Sequence, residues 1–343
     1  MMTSYLARGT VETDEVWRLP KELYALRPEA TRLLERVNER VWDGVDPTLL
    51  ELVRLRMAHL VGNRAGIEAR SSVARRAGLS EDKIGELAAY STSPRFTATE
   101  LGCLAFAEQF VMDVSGTTPE SLEALADVNG RDGLAEVVTA VYVVEFTQRL
   151  QLMARLLLAR TDRKDPLPAV TLGPADPDPQ DEMGGSLREL LASYQEAVVR
   201  GTSLDPVITE LVRLRCARTH RCRICSTLRL ADARADGVDE AMTAKIDFYE
   251  RSDLPERSKV ALRITDAFII RPDLLSESTI AHAYEFFGAE QLAELCLDIT
   301  KWSTQKIHVA LGTDDTDRLP INETGTSLFG FDDSGRVAGF SAG

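Results

Sequence analysis

Two cysteines three residues apart, Cys222 and Cys225, stand in the most reactive run of the chain: Glu210-Leu-Val-Arg-Leu-Arg-Cys216-Ala-Arg-Thr-His220-Arg-Cys222-Arg-Ile-Cys225-Ser-Thr-Leu-Arg229. Residues three apart on a helix share a face, with Cβ atoms about 5–6 Å apart. A small adjustment then brings two thiols to disulfide distance. A Cys-x-x-Cys that opens a helix has its thiolate favoured by unpaired N–H groups and by the positive end of the helix dipole. Arg229 follows Cys225 by one turn, and Arg221 and Arg223 flank Cys222, so the surroundings are positive. These are the conditions for thiol–disulfide exchange or thiol oxidation. The same run permits a zinc reading, since Cys216, His220, Cys222 and Cys225 make a Cys3His set.

The elements that must position these groups come in duplicate. Asp46-Pro-Thr-Leu-Leu-Glu-Leu-Val-Arg-Leu-Arg56 lies over Asp205-Pro-Val-Ile-Thr-Glu-Leu-Val-Arg-Leu-Arg215 at an offset of 159, with eight of eleven residues identical. The register continues through Ala58/Ala217, Arg64/Arg223, Arg70/Arg229, Ala74-Arg75/Ala233-Arg234 and Gly78/Gly237. Upstream, Leu33-Leu34 matches Leu190-Leu191. Downstream, Gly130 and Leu134 match Gly288 and Leu292. Internal similarity of this length is a duplication.

Each copy reads as helices. Leu49, Leu52, Val53, Leu55, Met57 and Leu60 keep helical spacing, as do Leu101, Leu104, Phe106 and Phe110, and then Leu134, Val137, Val138, Val141 and Tyr142. Asp46-Pro47 and Asp205-Pro206 read as an N-cap followed by proline at the first helical position. Period-two stretches are not found, so the expected class is all-α. The two copies are expected to pack on each other pseudo-symmetrically, because a small helical module cannot bury a wide apolar face alone. We divide the chain into a first copy at 1–160, a Pro/Asp-rich linker at 161–187, a second copy at 188–318 and a Gly/Ser-rich tail at 319–343, expected to be peripheral.

On the motif Glu210…Cys222-x-x-Cys225, with small Ala217 between, the chain resembles the AhpD-like alkylhydroperoxidase / carboxymuconolactone decarboxylase family. The resemblance covers roughly residues 30 to 160 and 188 to 313. The family carries a histidine four residues after the second cysteine, where this chain has Arg229. The resemblance implies a dithiol cycle in which Cys225 attacks a peroxide, Cys222 resolves the sulfenic acid to a disulfide, and an external thiol donor reduces it. It also implies a proton relay through Glu210, for which Arg229 cannot serve because arginine is no base at neutral pH. His220 is the candidate stand-in. The reaction so implied is thiol-dependent peroxide reduction or disulfide exchange in antioxidant defence, needing no cofactor and no metal. Its partners are a small peroxide or disulfide substrate and a thiol donor. Two-repeat relatives form trimers, so a homo-oligomer is expected.

The first copy bears on these roles. Asn63 and Gly66 stand at its cysteine positions, yet it keeps Glu51 and Arg70, the counterparts of Glu210 and Arg229. A Glu/Arg pair retained without thiols suggests an ion pair joining two helices. Cys216 aligns with core-like Met57, which weakens the zinc set, and Cys103 and Cys296 read as buried small hydrophobes. Trp302, Lys306 and His308 fall on the last helix of the second copy, which in the family helps wall the pocket.

Composition bounds the rest. The net charge of −14 argues against nucleic acid, which needs a basic footprint. No apolar run approaches the roughly 18 residues of a membrane span, and residues 1–16 lack the apolar segment of a secretory signal. A cytoplasmic protein is expected. Five cysteines, an odd number in a large chain, favour local thiol chemistry over a disulfide framework. Two other readings remain open: a decarboxylase-like enzyme acting on a small carboxylated ligand, and a non-enzymatic zinc-binding or redox-sensing protein.

Overall fold

The computed structural model describes residues 12–13, 16–159 and 185–342. Most of the linker expected at 161–187 lies outside the described residues. The fold is all-α, with small strands attached at two places.

The two copies repeat each other element by element. Helices Pro28–Gly44, Pro47–Val61, Arg64–Glu68, Ala98–Met112 and Pro119–Asn129 answer to Leu187–Val199, Pro206–Thr219, Arg223–Thr227, Glu256–Ile270 and Glu277–Phe286. Local chemistry explains the starts. Asp46 Oδ1 accepts from the N–H groups of Thr48 and Leu49 at 2.9 Å each, and Asp205 Oδ1 accepts from Ile208 N at 2.9 Å. Each cap satisfies helix N–H groups that have no intrahelical partner. The long helix Leu134–Leu157 has a broken counterpart, Ala289–Trp302 followed by Lys306–Leu311.

The copies do not keep separate cores. One continuous apolar cluster runs from Val16 and Leu23 through Phe106, Val138 and Leu150 to Tyr194, Cys216, Phe268, Leu295 and Ala310. At the junction Tyr142 Oη donates to the Thr300 carbonyl at 2.6 Å, so equivalent helices of the two copies meet near equivalent positions. Arg27 crosses to Glu294 at 2.5 Å, and Lys306 crosses to Glu145 at 2.6 Å, both acids being buried. This is the pseudo-symmetric packing the repeat predicts, carried further into a single core.

The tail departs from expectation. Ser327–Phe331 and Val337–Ser341 form an antiparallel pair, and Ser327–Phe331 adds in parallel to Leu228–Leu230, directly after the cysteine helix. Phe329 is buried there with Leu228, Leu230, Ala233 and Val238. The first copy receives a strand at the same place, Glu12–Thr13 pairing in parallel with Arg70–Ser71. The tail is therefore a working part of the second copy, and period-two segments do exist in this chain.

Candidate functional site

The helix Pro206–Thr219 delivers the cysteine turn. His220 ends it, Arg221 turns the chain with φ 53°, and Cys222 then caps the short helix Arg223–Thr227. Arg221 is the one non-glycine residue with positive φ among those described. The equivalent position in the first copy is Gly62, φ 75°. A left-handed conformation costs a side-chain-bearing residue about 1–2 kcal/mol. That cost is borne where it sets the orientation of Cys222.

Both thiols are buried and unbridged. Cys225 N donates to Cys222 Sγ at 3.3 Å. The Cys225 thiol, donating to the same sulfur together with that N–H, holds the Cys222 thiol below its ordinary range against the opposing effect of burial. The same hydrogen bond, then burial, pushes Cys225 well up. Of the two, Cys222 is the thiol whose ionised form the local hydrogen bonds favour. In contrast, burial pushes the thiols of Cys103, Cys216 and Cys296 up to about 12, leaving them as inert core residues.

Access differs between the two sulfurs. Cys225 lines a cavity of about 320 Å³ with Arg213, Lys301, Trp302 and Gln305, roofed by tail residues that include Phe329, Phe331 and Phe340. Cys222 does not reach it. Beyond Trp302 and Phe331 lies a larger cleft of about 640 Å³ that Asp298 and Glu294 line. The corresponding place in the first copy, bounded by Asn38, Arg54, Val144 and Thr147, is filled by Trp17 and Trp42 and leaves about 10 Å³. That is room for one water at most.

The remaining residues expected at the site have other occupations. Glu210 does not pair with Arg229. Both its oxygens take Arg213, at 2.6 and 2.8 Å, and Arg213 also donates to the carbonyls of Cys225 and Leu228. Arg229 is held by Glu240 at 2.8 Å and by the carbonyls of Ser226 and Leu228. The first copy repeats every one of these contacts: Glu51 with Arg54, Arg54 with the carbonyls of Gly66 and Ala69, and Arg70 with Glu81 and the carbonyls of Ile67 and Ala69. An arrangement copied where no thiol exists is scaffolding. Glu210 is thereby committed away from the expected relay, and Arg229 away from the Cys225 thiol. Arg229→Ala should therefore cost stability by about 1–3 kcal/mol, as should Arg70→Ala. Neither should change the alkylation rate of Cys225 per folded molecule, which peptide-resolved mass spectrometry would follow.

His220 is also elsewhere. Its Nε2 lies 3.1 Å from Ser303 Oγ and its ring meets Phe146 edge-on. Burial, then Lys306 and Arg149, press its pKa well below the ordinary value, so it is a neutral core group and does not line the cavity. Arg223 is neutralised by Asp314 at 3.0 Å, whose charge opposes the Cys222 thiolate. Lys306 is tied to Glu145, and His308 lies exposed against Thr313. The Cys3His set does not assemble, since no group of three or more metal-binding side chains occurs among the described residues. Sequence reasoning named Trp302 but passed over Lys301 and Asp298. The signal was there: two charges where the first copy has Ala140 and Val143 at the matching positions.

The comparisons with known proteins agree with this geometry at the level of fold. A profile of the carboxymuconolactone decarboxylase family matches residues 28–109, within the copy that lacks the Cys-x-x-Cys pair. Two uncharacterized proteins of Mycobacterium tuberculosis, from strains CDC 1551 / Oshkosh and ATCC 25618 / H37Rv, are each 34% identical over 232 residues. Each alignment spans 66% of this chain and 79% of the relative. No solved structure matches the chain. No helix among the described residues is long and apolar enough to cross a membrane. With its duplicated helical module and matching profile, the chain belongs to the carboxymuconolactone decarboxylase family.

Proposed function

We propose that the protein is a thiol-dependent peroxidase or disulfide oxidoreductase acting through Cys225 and Cys222. One observation carries this reading: of two equivalent places in the fold, the one beside Arg213 and Cys225 has a cavity of about 320 Å³, and the one beside Arg54, where Gly66 replaces the cysteine and Gln148 fills the space, leaves about 10 Å³. In the peroxide reaction, Cys225 Sγ attacks one peroxide oxygen. The O–O bond breaks, Cys225 becomes a sulfenic acid, and the departing alkoxide takes a proton. Cys222 Sγ then attacks the Cys225 sulfur and expels hydroxide, which leaves as water. Two equivalents of an external thiol return the disulfide to the dithiol.

The test is stoichiometric. Reduced protein given one equivalent of an organic hydroperoxide should consume it and show a Cys222–Cys225 link on peptide mapping. A Cys216–Cys222 link, or none, would sink the assignment.

A second reading, action on a small carboxylated ligand, is favoured by the buried Trp302 Nε1, a donor with no partner among the described residues beside the cavity. Buried donors are rarely left unpaired. Such an activity would survive Cys225→Ser.

The assembly expectation stands as part of this proposal. Met112 and Ile270 hold matching positions at the ends of equivalent helices and are 75% and 58% exposed. Two exposed apolar side chains repeated by the internal pseudo-symmetry suit a closed ring of copies. Light scattering should give three times the chain mass at micromolar concentration, and a monomer would refute it.

A further inference from the structure

The dithiol reading leaves one part unfilled. The Cys225 thiol must lose its proton to attack and Cys222 must react as its thiolate, and Glu210, His220 and Arg229 are all committed elsewhere. The cavity itself holds the remaining candidate. Lys301, on the Ala289–Trp302 helix, is buried and lines the same space as Cys225. Its Nζ lies 3.0 Å from the Trp302 ring centroid and 5.0 Å from that of Phe331. It makes no hydrogen bond among the described residues, although an ammonium has three N–H donors to place.

The charges around it are few. Asp298 and Glu294 lie on its own helix, Glu210 and Arg213 on Pro206–Thr219, and Cys222 and Cys225 on the thiol turn. Glu196 of Leu187–Val199 and Arg336 of the tail pair with each other at 2.9 Å. Arg213 is spent on Glu210. Burial, with Arg213 adding to it, lowers Lys301 to about 7 against the pull of Asp298 and Cys225. Burial, then Glu294, raises Asp298 to about 8. Asp298 lines the outer cleft of about 640 Å³ while Lys301 lines the thiol cavity, so the two span the partition that Trp302 makes. In the copy without the Cys-x-x-Cys pair the matching residues are Ala140 and Val143, which have no titratable group.

Resting on the dithiol reading, we propose that Lys301 is the general base of the site and that Asp298 links it to solvent. The Lys301 amine takes the Cys225 S–H proton, directly or through one water, as the sulfur–oxygen bond forms and the O–O bond breaks. The resulting ammonium returns that proton to the departing alkoxide. A further proton entering by way of Asp298 and Lys301 then converts the hydroxide expelled in the resolving step to water. Lys301 supplies what the residue at position 229 cannot.

The experiment measures iodoacetamide alkylation of Cys225 from pH 5.5 to 9, by peptide mass, in the wild type, Lys301→Met, Lys301→Arg and Asp298→Asn, with hydroperoxide turnover recorded alongside. The wild-type rate should rise through an inflection near pH 7. Lys301→Met should lose that inflection and react about tenfold more slowly at pH 7.5, the effect of roughly one pK unit on the thiolate fraction. Lys301→Arg keeps the charge without a base, so it should show no inflection and no recovered turnover. Asp298→Asn should move the inflection to lower pH, and it keeps the proposal open to refutation if Lys301→Met does not fold. Coincident profiles for the wild type and Lys301→Met, or for the wild type and Asp298→Asn, overturn the role. If the profiles shift as expected but neither peroxide nor disulfide is turned over, Lys301 keeps its role and the peroxidase reading fails. If peroxide is turned over while the profiles coincide, the converse holds.

Discussion

Cys225→Ser should abolish hydroperoxide turnover, by a factor on the order of a thousand or more, because it removes the atom that forms the covalent intermediate. Cys222→Ser should behave differently. Cys225 still lines the cavity in that variant and can be oxidised once, but nothing resolves its sulfenic acid. One equivalent of peroxide should disappear in a burst and turnover should stop, with a sulfenic acid on Cys225 that a dimedone probe captures. Cys222→Ser also replaces the sulfur that accepts from the Cys225 thiol with a hydroxyl that does not ionise, so the wild-type and variant bursts should differ in pH dependence. Equal loss in both variants with no burst would mean that the pair is not split into attacking and resolving members. Full activity in Cys225→Ser would mean that the chemistry is not thiol chemistry.

Arg213→Ala should be the most destabilising single change at the site, at about 3–5 kcal/mol, because it leaves the buried Glu210 carboxylate unpaired. It also removes the donor to the carbonyls of Cys225 and Leu228, the bonds that hold the cysteine helix and its following strand against Pro206–Thr219. Arg54→Ala is the internal comparison. Its guanidinium does the same for Glu51, Gly66 and Ala69. Urea unfolding should show losses of similar size in both, since one core spans the copies and should melt as a unit. Only Arg213→Ala should also change Cys225 reactivity in the folded protein. A loss below about 1 kcal/mol for either, on the scale of an exposed pair, would contradict the burial on which the expectation rests.

Much of the fold was legible because duplication writes the same signals twice. Asp-Pro caps, helical spacing and the offset of 159 all survive in the structure. The thiol pair was legible for the same reason, as a difference between otherwise matching segments. The partners of the charged residues were not. Glu210 was matched with Arg229 because both recur, whereas Arg213, three residues away on the same helix, also recurs and is nearer. Glu240 and Glu81, the real partners of Arg229 and Arg70, lie at matching positions eleven residues on, and nothing local marks them. The tail was misjudged because glycine at 330 and 339 interrupts its apolar alternation, yet Phe329 and Phe331 keep the spacing of a strand. Asp298 and Lys301 escaped because charges three apart on a helix read as a solvated face. Burial, which only the tertiary fold decides, turns them into a reactive pair.

The roof of the cavity has a bearing on how the protein is made. Ser327–Phe331 pairs with Leu228–Leu230 across about a hundred intervening residues, so the thiol pocket is closed by one of the most distant contacts in the second copy. Contacts of high sequence separation form late. During synthesis, Cys225 emerges well before the strand that lines its cavity. For that interval Cys225 lacks its tail neighbours, and the cavity beside it takes its final shape only once the hairpin has docked.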